Sequence, residues 1–167
     1  WQDVVTKVRS SGVKHVVLTG GEPLLQPEIV PLSQALRDQG HIVTVETAGT
    51  VYRPVSADLM SISPKLANSS PDTSTPRWRA RHQRDQYRPD VLQRLMGEFP
   101  YQLKFVIETA TDLNEVQRYL DELGGVPGDR VWLMPQGVTN DTLQTKAEWL
   151  KPAAAKRLPP RGRSPRA

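Results

Sequence analysis

Short β-rich runs alternate with stretches of helical period along this chain, and that alternation restricts the fold more than any other feature. The runs are Lys14–Leu18, His41–Glu46, Asp58–Ser63, Gln102–Ile107 and Arg130–Met134. Between and after them, apolar residues recur at helical spacing: Ile29, Leu32, Ala35 and Leu36; then Val91, Leu92, Leu95 and Met96; then Leu113, Val116, Leu120 and Leu123; finally Leu143, Ala147 and Leu150. Strand runs separated by amphipathic segments of about 10–15 residues predict an α/β fold, a parallel sheet with helical crossovers. Five such strands fit either a doubly wound sheet or part of a βα barrel.

Local signals set the ends of these elements. Asp3 is expected to cap a first helix carrying Val4, Val5 and Val8, with Gly12 closing it. Pro27 and Glu28 are expected to open the second helix, Gly124 and Gly125 to stop the one that begins near Asp112, and Asn140 or Asp141 to cap the last. Residues 66–88 are rich in Asn, Ser, Pro, Thr and Arg without any period, which predicts a surface insertion or lid within a core spanning 1–151. Residues 152–167, rich in Ala, Pro and Arg, cannot bury enough apolar area to order themselves and are expected to be disordered.

At 167 residues the chain is long enough for one domain with a substantial core. It contains no apolar run of membrane-spanning length and no signal-peptide pattern, so a cytoplasmic protein with no membrane partner is expected. It opens at Trp1 inside a helix and without Met, the start expected of a fragment. With no cysteine, these residues offer no disulfide, thiolate nucleophile or cysteine-held metal. His15, His41 and His82 are too scattered for a metal site. The net charge of +4 is unevenly spread: six basic and no acidic residues follow from Lys151 onward, so the body before it is slightly acidic. A second basic run, Arg77, Arg79, Arg81, Arg84 and Arg88, falls in the 66–88 segment.

Four turns carry the candidate chemistry, each at the carboxyl end of an expected strand, the rim where parallel α/β folds bind ligands. They are Thr19-Gly20-Gly21-Glu22-Pro23, Glu46-Thr47-Ala48-Gly49-Thr50, Ser63-Pro64-Lys65 and Met134-Pro135-Gln136-Gly137. The glycines at 20 and 21 let bare backbone approach a ligand, and Glu22 sets a carboxylate beside them, which suits a ligand with an amino group. Together the turns supply carboxylates, hydroxyls, an ammonium and amides, a polar pocket for a zwitterionic, ribose-bearing molecule. Each also has an ordinary structural explanation: a solvated Glu22, a strand-ending Ser63-Pro64, a surface Lys65, a Gln136 bonded to its own loop. Lys104 either points into a barrel or snorkels at an edge.

The run Val-Leu-Thr-Gly-Gly-Glu-Pro-Leu-Leu-Gln, with Glu-Thr-Ala-Gly-Thr, Ser-Pro-Lys, Leu103-Lys104-Phe105-Val106 and Trp132-Leu133-Met134-Pro135-Gln136, resembles radical S-adenosylmethionine enzymes, and more narrowly the 7-carboxy-7-deazaguanine synthase family of queuosine and deazapurine biosynthesis. The resemblance covers Trp1 to about Pro152. It implies a partial βα barrel, truncated at its N-terminus. Gly20, Gly21 and Glu22 would hold the methionyl end of S-adenosylmethionine, with Glu46, Ser63, Pro64, Lys65, Met134, Pro135, Gln136 and Gly137 forming more of that cofactor's site and Thr19 touching substrate. The implied reaction is a lyase step on 6-carboxy-5,6,7,8-tetrahydropterin with loss of ammonia, using a [4Fe-4S] cluster, Mg²⁺, a flavodoxin-like electron donor and a homodimer.

The family's Cys-x₃-Cys-x₂-Cys loop is absent from these residues, so none of them is assigned a catalytic or metal-binding role and the chain alone is expected to be inactive. The tail after residue 152 does not resemble the family, as after a frame change or truncation. Two other readings stand beside this one: a different radical S-adenosylmethionine enzyme such as an activase, and a nucleic-acid-associated protein using the arginine run and the tail. The acidic body and the lack of an aromatic-rich RNA motif argue against the second.

Overall fold

A computed structural model of the chain describes residues 1–69 and 87–157. The first β-rich run forms β1 (His15–Leu18), which pairs in parallel with β2 (Ile42–Thr47), which in turn pairs in parallel with β3 (Leu59–Ile62). Further along, β4 (Tyr101–Ile107) and β5 (Val131–Pro135) also pair in parallel. The strand order of the five-stranded sheet is the sequence order, with β1 and β5 at its edges. An all-parallel sheet in sequence order that does not close is the α/β arrangement of a partial βα barrel. The doubly wound alternative required a reversal of strand order, which is absent among the described strands.

The helices are α1 (Gln2–Ser11), α2 (Ile29–Asp38), α3 (Pro89–Glu98), α4 (Asp112–Leu123) and α5 (Asn140–Arg157). Contacts divide the chain into two compact units, one comprising 1–63 with 90–102 and the other 64–89 with 103–167. In the first, Leu24, Leu36, Val43, Val45, Met60, Ile62 and Leu95 are completely buried, each worth about 1.5–3 kcal/mol relative to exposure. Val43, Val45 and Thr47 alternate with half-buried Ile42, Thr44 and Glu46 along β2, so only one sheet face is packed tightly. The register sets Val17, 54% exposed, beside Thr44 on the other. In the second unit Leu103, Phe105, Ile107 and Val131 are buried, while Val106, Trp132 and Met134 are exposed. Parallel sheets normally have both faces covered; in the first unit the second face is covered in part, with Ser61 buried, Thr44 and Glu46 half-buried and Val17 exposed.

Several ends differ from expectation. Trp1, not Asp3, is the N-cap of α1 and makes no side-chain cap bond; Asp3 lies in the first turn, where its charge complements the helix dipole. The second helix starts at Ile29, with Pro27 and Glu28 in the preceding turn. Helix α5 does not end at Pro152 but runs through it to Arg157, although an interior proline forfeits a backbone bond. Ala153, Ala154 and Ala155 are the strongest helix formers available, and Arg157 Nη1 donates to Asn114 Oδ1 on α4 at 2.8 Å. Residues 158–167, and 70–86 of the expected insertion with Arg77, Arg79, Arg81 and Arg84, lie outside the described residues.

The second unit is knotted together at Asp112. Its buried carboxylate accepts from Glu108 N at 2.8 Å, Thr109 N at 2.9 Å and Asn68 Nδ2 at 2.8 Å, and Glu115 accepts from Ala67 N at 3.0 Å. Burial raises the Asp112 pKa, but the donations from Thr109, Glu108 and Asn68 outweigh it and leave it below its ordinary value. Asp112→Ala strands three donors and is expected to cost about 2–3 kcal/mol in urea unfolding. A folded-state pKa below the unfolded one means that the stabilisation is fully present at neutral pH and fades as pH falls below about 4. The wild-type and Asp112→Ala unfolding midpoints should therefore converge on acidification; a constant gap would refute the assignment.

Candidate functional site

The turn after β1 offers backbone to a ligand. Gly20 and Gly21 have φ of 109° and 49°, conformations that residues with a Cβ rarely adopt, and nothing stands within 4 Å of the space a side chain would occupy at either. The next residue, Glu22, is extended and caps a 3₁₀ turn at Pro23–Leu25 that the sequence pattern did not predict. Its Oε1 accepts from Leu24 N at 3.1 Å, and its Oε2 from Ala48 N at 2.9 Å. The Thr47 hydroxyl lies 2.8 Å from both carboxylate oxygens and accepts from Gly49 N at 3.0 Å. Glu22 is thus half-buried and not free. It clamps the β1 turn to the β2 turn.

The other predicted residues of this unit lie on the same strand ends. Thr19 is exposed and its hydroxyl donates to Glu46 Oε2 at 3.5 Å. Ser63 follows β3, its N–H donating to the Thr47 carbonyl at 2.8 Å, so all three strand ends of the unit are cross-linked through residues 22, 47 and 63. A cavity of about 400 Å³ opens beside the β1 turn, lined by Trp1, Val17, Thr19, Gly20, Pro23 and Ile29 among others. Neither Glu22 nor Glu46 lines it.

Pro64, Lys65, Met134, Pro135, Gln136 and Gly137 belong to the second unit. Pro64 is buried and Lys65 exposed. The Lys65 carbonyl accepts from Tyr119 Oη at 3.1 Å, and Lys65 lines a cavity of about 320 Å³ with Tyr87, Glu115, Arg118 and Tyr119. Burial, reinforced by a hydrogen bond to Glu122, pushes the Tyr87 pKa up to about 12, and burial followed by the charge of Glu115 raises Tyr119 as well. Both phenols stay protonated and serve as donors. The Gln136 N–H donates to the Ile107 carbonyl at 2.8 Å, and its side chain accepts from Lys146 Nζ on α5 at 3.1 Å rather than from its own loop. Gly137 sits against Thr142 and Leu143, which a methyl there would meet at 3.1 Å.

An open wall of parallel strands, a Gly-Gly turn with empty space beside it, and a carboxylate anchored next to that turn suit a ligand with an amino group. The chain belongs to the radical SAM superfamily, which it matches over residues 2–131. Among individual proteins, it is 41% identical over 158 residues to the 7-carboxy-7-deazaguanine synthase of Rhodopirellula baltica, covering 93% of this chain and 61% of that protein. It is 40% identical over 157 residues to the one from Halobacterium salinarum, covering 86% and 60%. The crystal structure of QueE from Escherichia coli shares the fold, with a TM-score of 0.58 at 20% identity over 90% of this chain and 60% of that one. The chain thus spans about 60% of the length of these relatives.

The family uses S-adenosylmethionine and a [4Fe-4S] cluster. The first group fits these residues: an ammonium donor can reach the lone-pair capacity Glu22 has left, and the two glycine backbones leave room for it. The cluster does not fit, because the chain has no cysteine. Among the described residues no group of three or more His, Cys, Asp or Glu side chains could hold a metal ion. No helix among the described residues is long and apolar enough to cross a membrane. Sequence reasoning placed Thr47 in a candidate turn but gave it no role of its own. The signal was a hydroxyl residue at the end of a strand, two places before a glycine.

Proposed function

We propose that this chain is the cofactor-binding core of a 7-carboxy-7-deazaguanine synthase. The observation that carries the reading is the β1 turn, where Glu22 is pinned beside open Gly20–Gly21 backbone; the relatives' names supply the reaction. In this reading Gly20, Gly21 and Glu22 hold the amino-acid end of S-adenosylmethionine. Glu46 and Ser63 of the same unit contribute further contacts to the cofactor, while Thr19 meets the pterin. S-adenosylmethionine held by these residues would supply radical chemistry; the residues of this chain bind and orient it. A homodimer, a flavodoxin-like reductant and Mg²⁺ complete the proposed enzyme.

The protein that carries these residues, reconstituted anaerobically with iron and sulfide, is expected to convert 6-carboxy-5,6,7,8-tetrahydropterin to 7-carboxy-7-deazaguanine and ammonia when given S-adenosylmethionine and reductant. Formation of 5′-deoxyadenosine without that product would move the chain to another radical SAM reaction. The 167 residues alone, lacking thiolates, are expected to take up no cluster absorbance and to give neither product. A stoichiometric cluster on this chain would contradict that.

A further inference from the structure

The clamp on Glu22 has an arithmetic. A carboxylate offers about four lone-pair positions. Leu24 N and Ala48 N take one each, at 3.1 and 2.9 Å. The Thr47 hydroxyl carries a single proton yet lies 2.8 Å from both oxygens, so it spans the carboxylate and takes one more. That leaves roughly one position for an outside donor. The hydroxyl is itself fixed: Thr47 is 4% exposed, its oxygen accepts from Gly49 N at 3.0 Å, and its carbonyl accepts from Ser63 N at 2.8 Å. The Gly49 donation occupies an Oγ1 lone pair and directs the hydroxyl proton away from the backbone, toward Glu22.

From this we infer that Thr47 is a positioning residue that selects for an amino group on the ligand. It acts through Glu22 by helping to fix the carboxylate plane next to the Gly20–Gly21 turn, so that the remaining lone pair keeps one direction. The inference deepens the proposed function and rests on its placing of the ligand's amino group at Glu22. Without the hydroxyl, Leu24 N and Ala48 N still hold one oxygen each, but the carboxylate loses its buried third anchor and is held less firmly in its plane. The chain would keep its affinity for the rest of the ligand and lose its preference for the ammonium.

The test compares two probes, S-adenosyl-L-homocysteine and its des-amino counterpart, which keeps the thioether, ribose and adenine. Their dissociation constants are measured by titration calorimetry on the 167-residue chain, with thermal melts alongside. Wild type is expected to prefer the amino form at least tenfold. Thr47→Val, which keeps the shape and removes the hydroxyl, should cut that preference about tenfold, the scale of one hydrogen bond to a charged group, with little change in des-amino affinity; Thr47→Ser should restore it. Where the valine chain does not melt cooperatively, Thr47→Cys, a weaker donor of similar size, carries the same expectation. A preference kept within twofold, or equal weakening toward both probes, overturns the role of Thr47 and leaves the proposed function standing. A wild-type chain that binds neither probe, or binds both equally, overturns the proposed placement of the cofactor and this role with it.

Discussion

Glu22→Ala is expected to lower both the stability of the chain and its affinity for an amino-bearing ligand, whereas a purely ligand-directed residue would lower only the second. The side chain receives Leu24 N, Ala48 N and Thr47 Oγ1, and alanine leaves all three donors without an acceptor. Thr47 is buried and water cannot readily replace the carboxylate there, so its hydroxyl bears most of the penalty. Unpaired donors of this kind cost about 1–3 kcal/mol each when fully buried. Glu22 is only half-buried, and about 2–3 kcal/mol in total is the expected loss, or a fall of about 5–10 °C in melting temperature for a chain of this size. Binding of S-adenosyl-L-homocysteine should fall at least a hundredfold, since the ammonium loses its only charged partner at this turn in the proposed placement. Glu22→Gln separates the two effects: its amide oxygen can still accept from one backbone N–H, so stability should recover in part while ammonium binding does not. A Glu22→Ala chain that melts within about 2 °C of wild type would show that the β1 and β2 turns are held by something other than this carboxylate.

The clamp made by Glu22 explains why the candidate site was less legible in the sequence than the fold. The strands announce themselves locally: Val43 and Val45 alternate with Thr44 and Glu46 within one run, and β2 forms over nearly the residues that the pattern marks. The α/β class and the parallel crossovers follow from repetition of that signal. The clamp is not local. Glu22 meets Thr47 and Ala48 across 25 and 26 positions, and no periodicity links a residue after one strand to a residue at the end of the next. The 3₁₀ turn at Pro23–Leu25 is too short to show a period at all.

Asp112 escaped for a related reason. At the start of an amphipathic run it reads as an ordinary helix-starting aspartate. It lies inside α4, whose N-cap is Thr111, and its carboxylate serves Glu108 N and Thr109 N as well as Asn68, 44 positions away. The extension of α5 past Pro152 was hidden because composition weighs proline against the whole tail, whereas Ala153 to Arg157 need only one anchoring contact, and Arg157 finds it on Asn114. Properties that depend on spacing along the chain could be read; properties that depend on a distant acceptor could not.

Gly49 is where packing and site meet, and Gly49→Ala is expected to be the most damaging single methyl in the first unit. A Cβ there would lie 2.3 Å from Leu92 Cδ2 and 2.9 Å from Ile62 Cγ2, at a φ of 76°. The left-handed backbone alone costs a residue with a Cβ about 1–2 kcal/mol. The collision adds about 1–3 kcal/mol of overpacking, because Leu92 is 1% exposed and Ile62 fully buried, leaving neither a vacant rotamer to retreat into. About 3 kcal/mol or more is therefore expected, seen as a melting temperature lowered by about 6–12 °C. Gly40→Ala is the matched control: its φ is 84° but nothing lies within 4 Å of the added methyl, so it should cost only the backbone strain. The two also differ at the site. Gly49 N donates to Thr47 Oγ1 at 3.0 Å, and a backbone pushed off Leu92 and Ile62 carries that donor with it, releasing the hydroxyl that spans Glu22. Gly49→Ala should thus weaken the preference for an amino-bearing ligand as Thr47→Val does, while Gly40→Ala leaves it unchanged. Equal melting temperatures for the two alanine variants would mean that strain, not close approach, dictates glycine at 49, and would detach the packing of α3 from the geometry of the β2 turn.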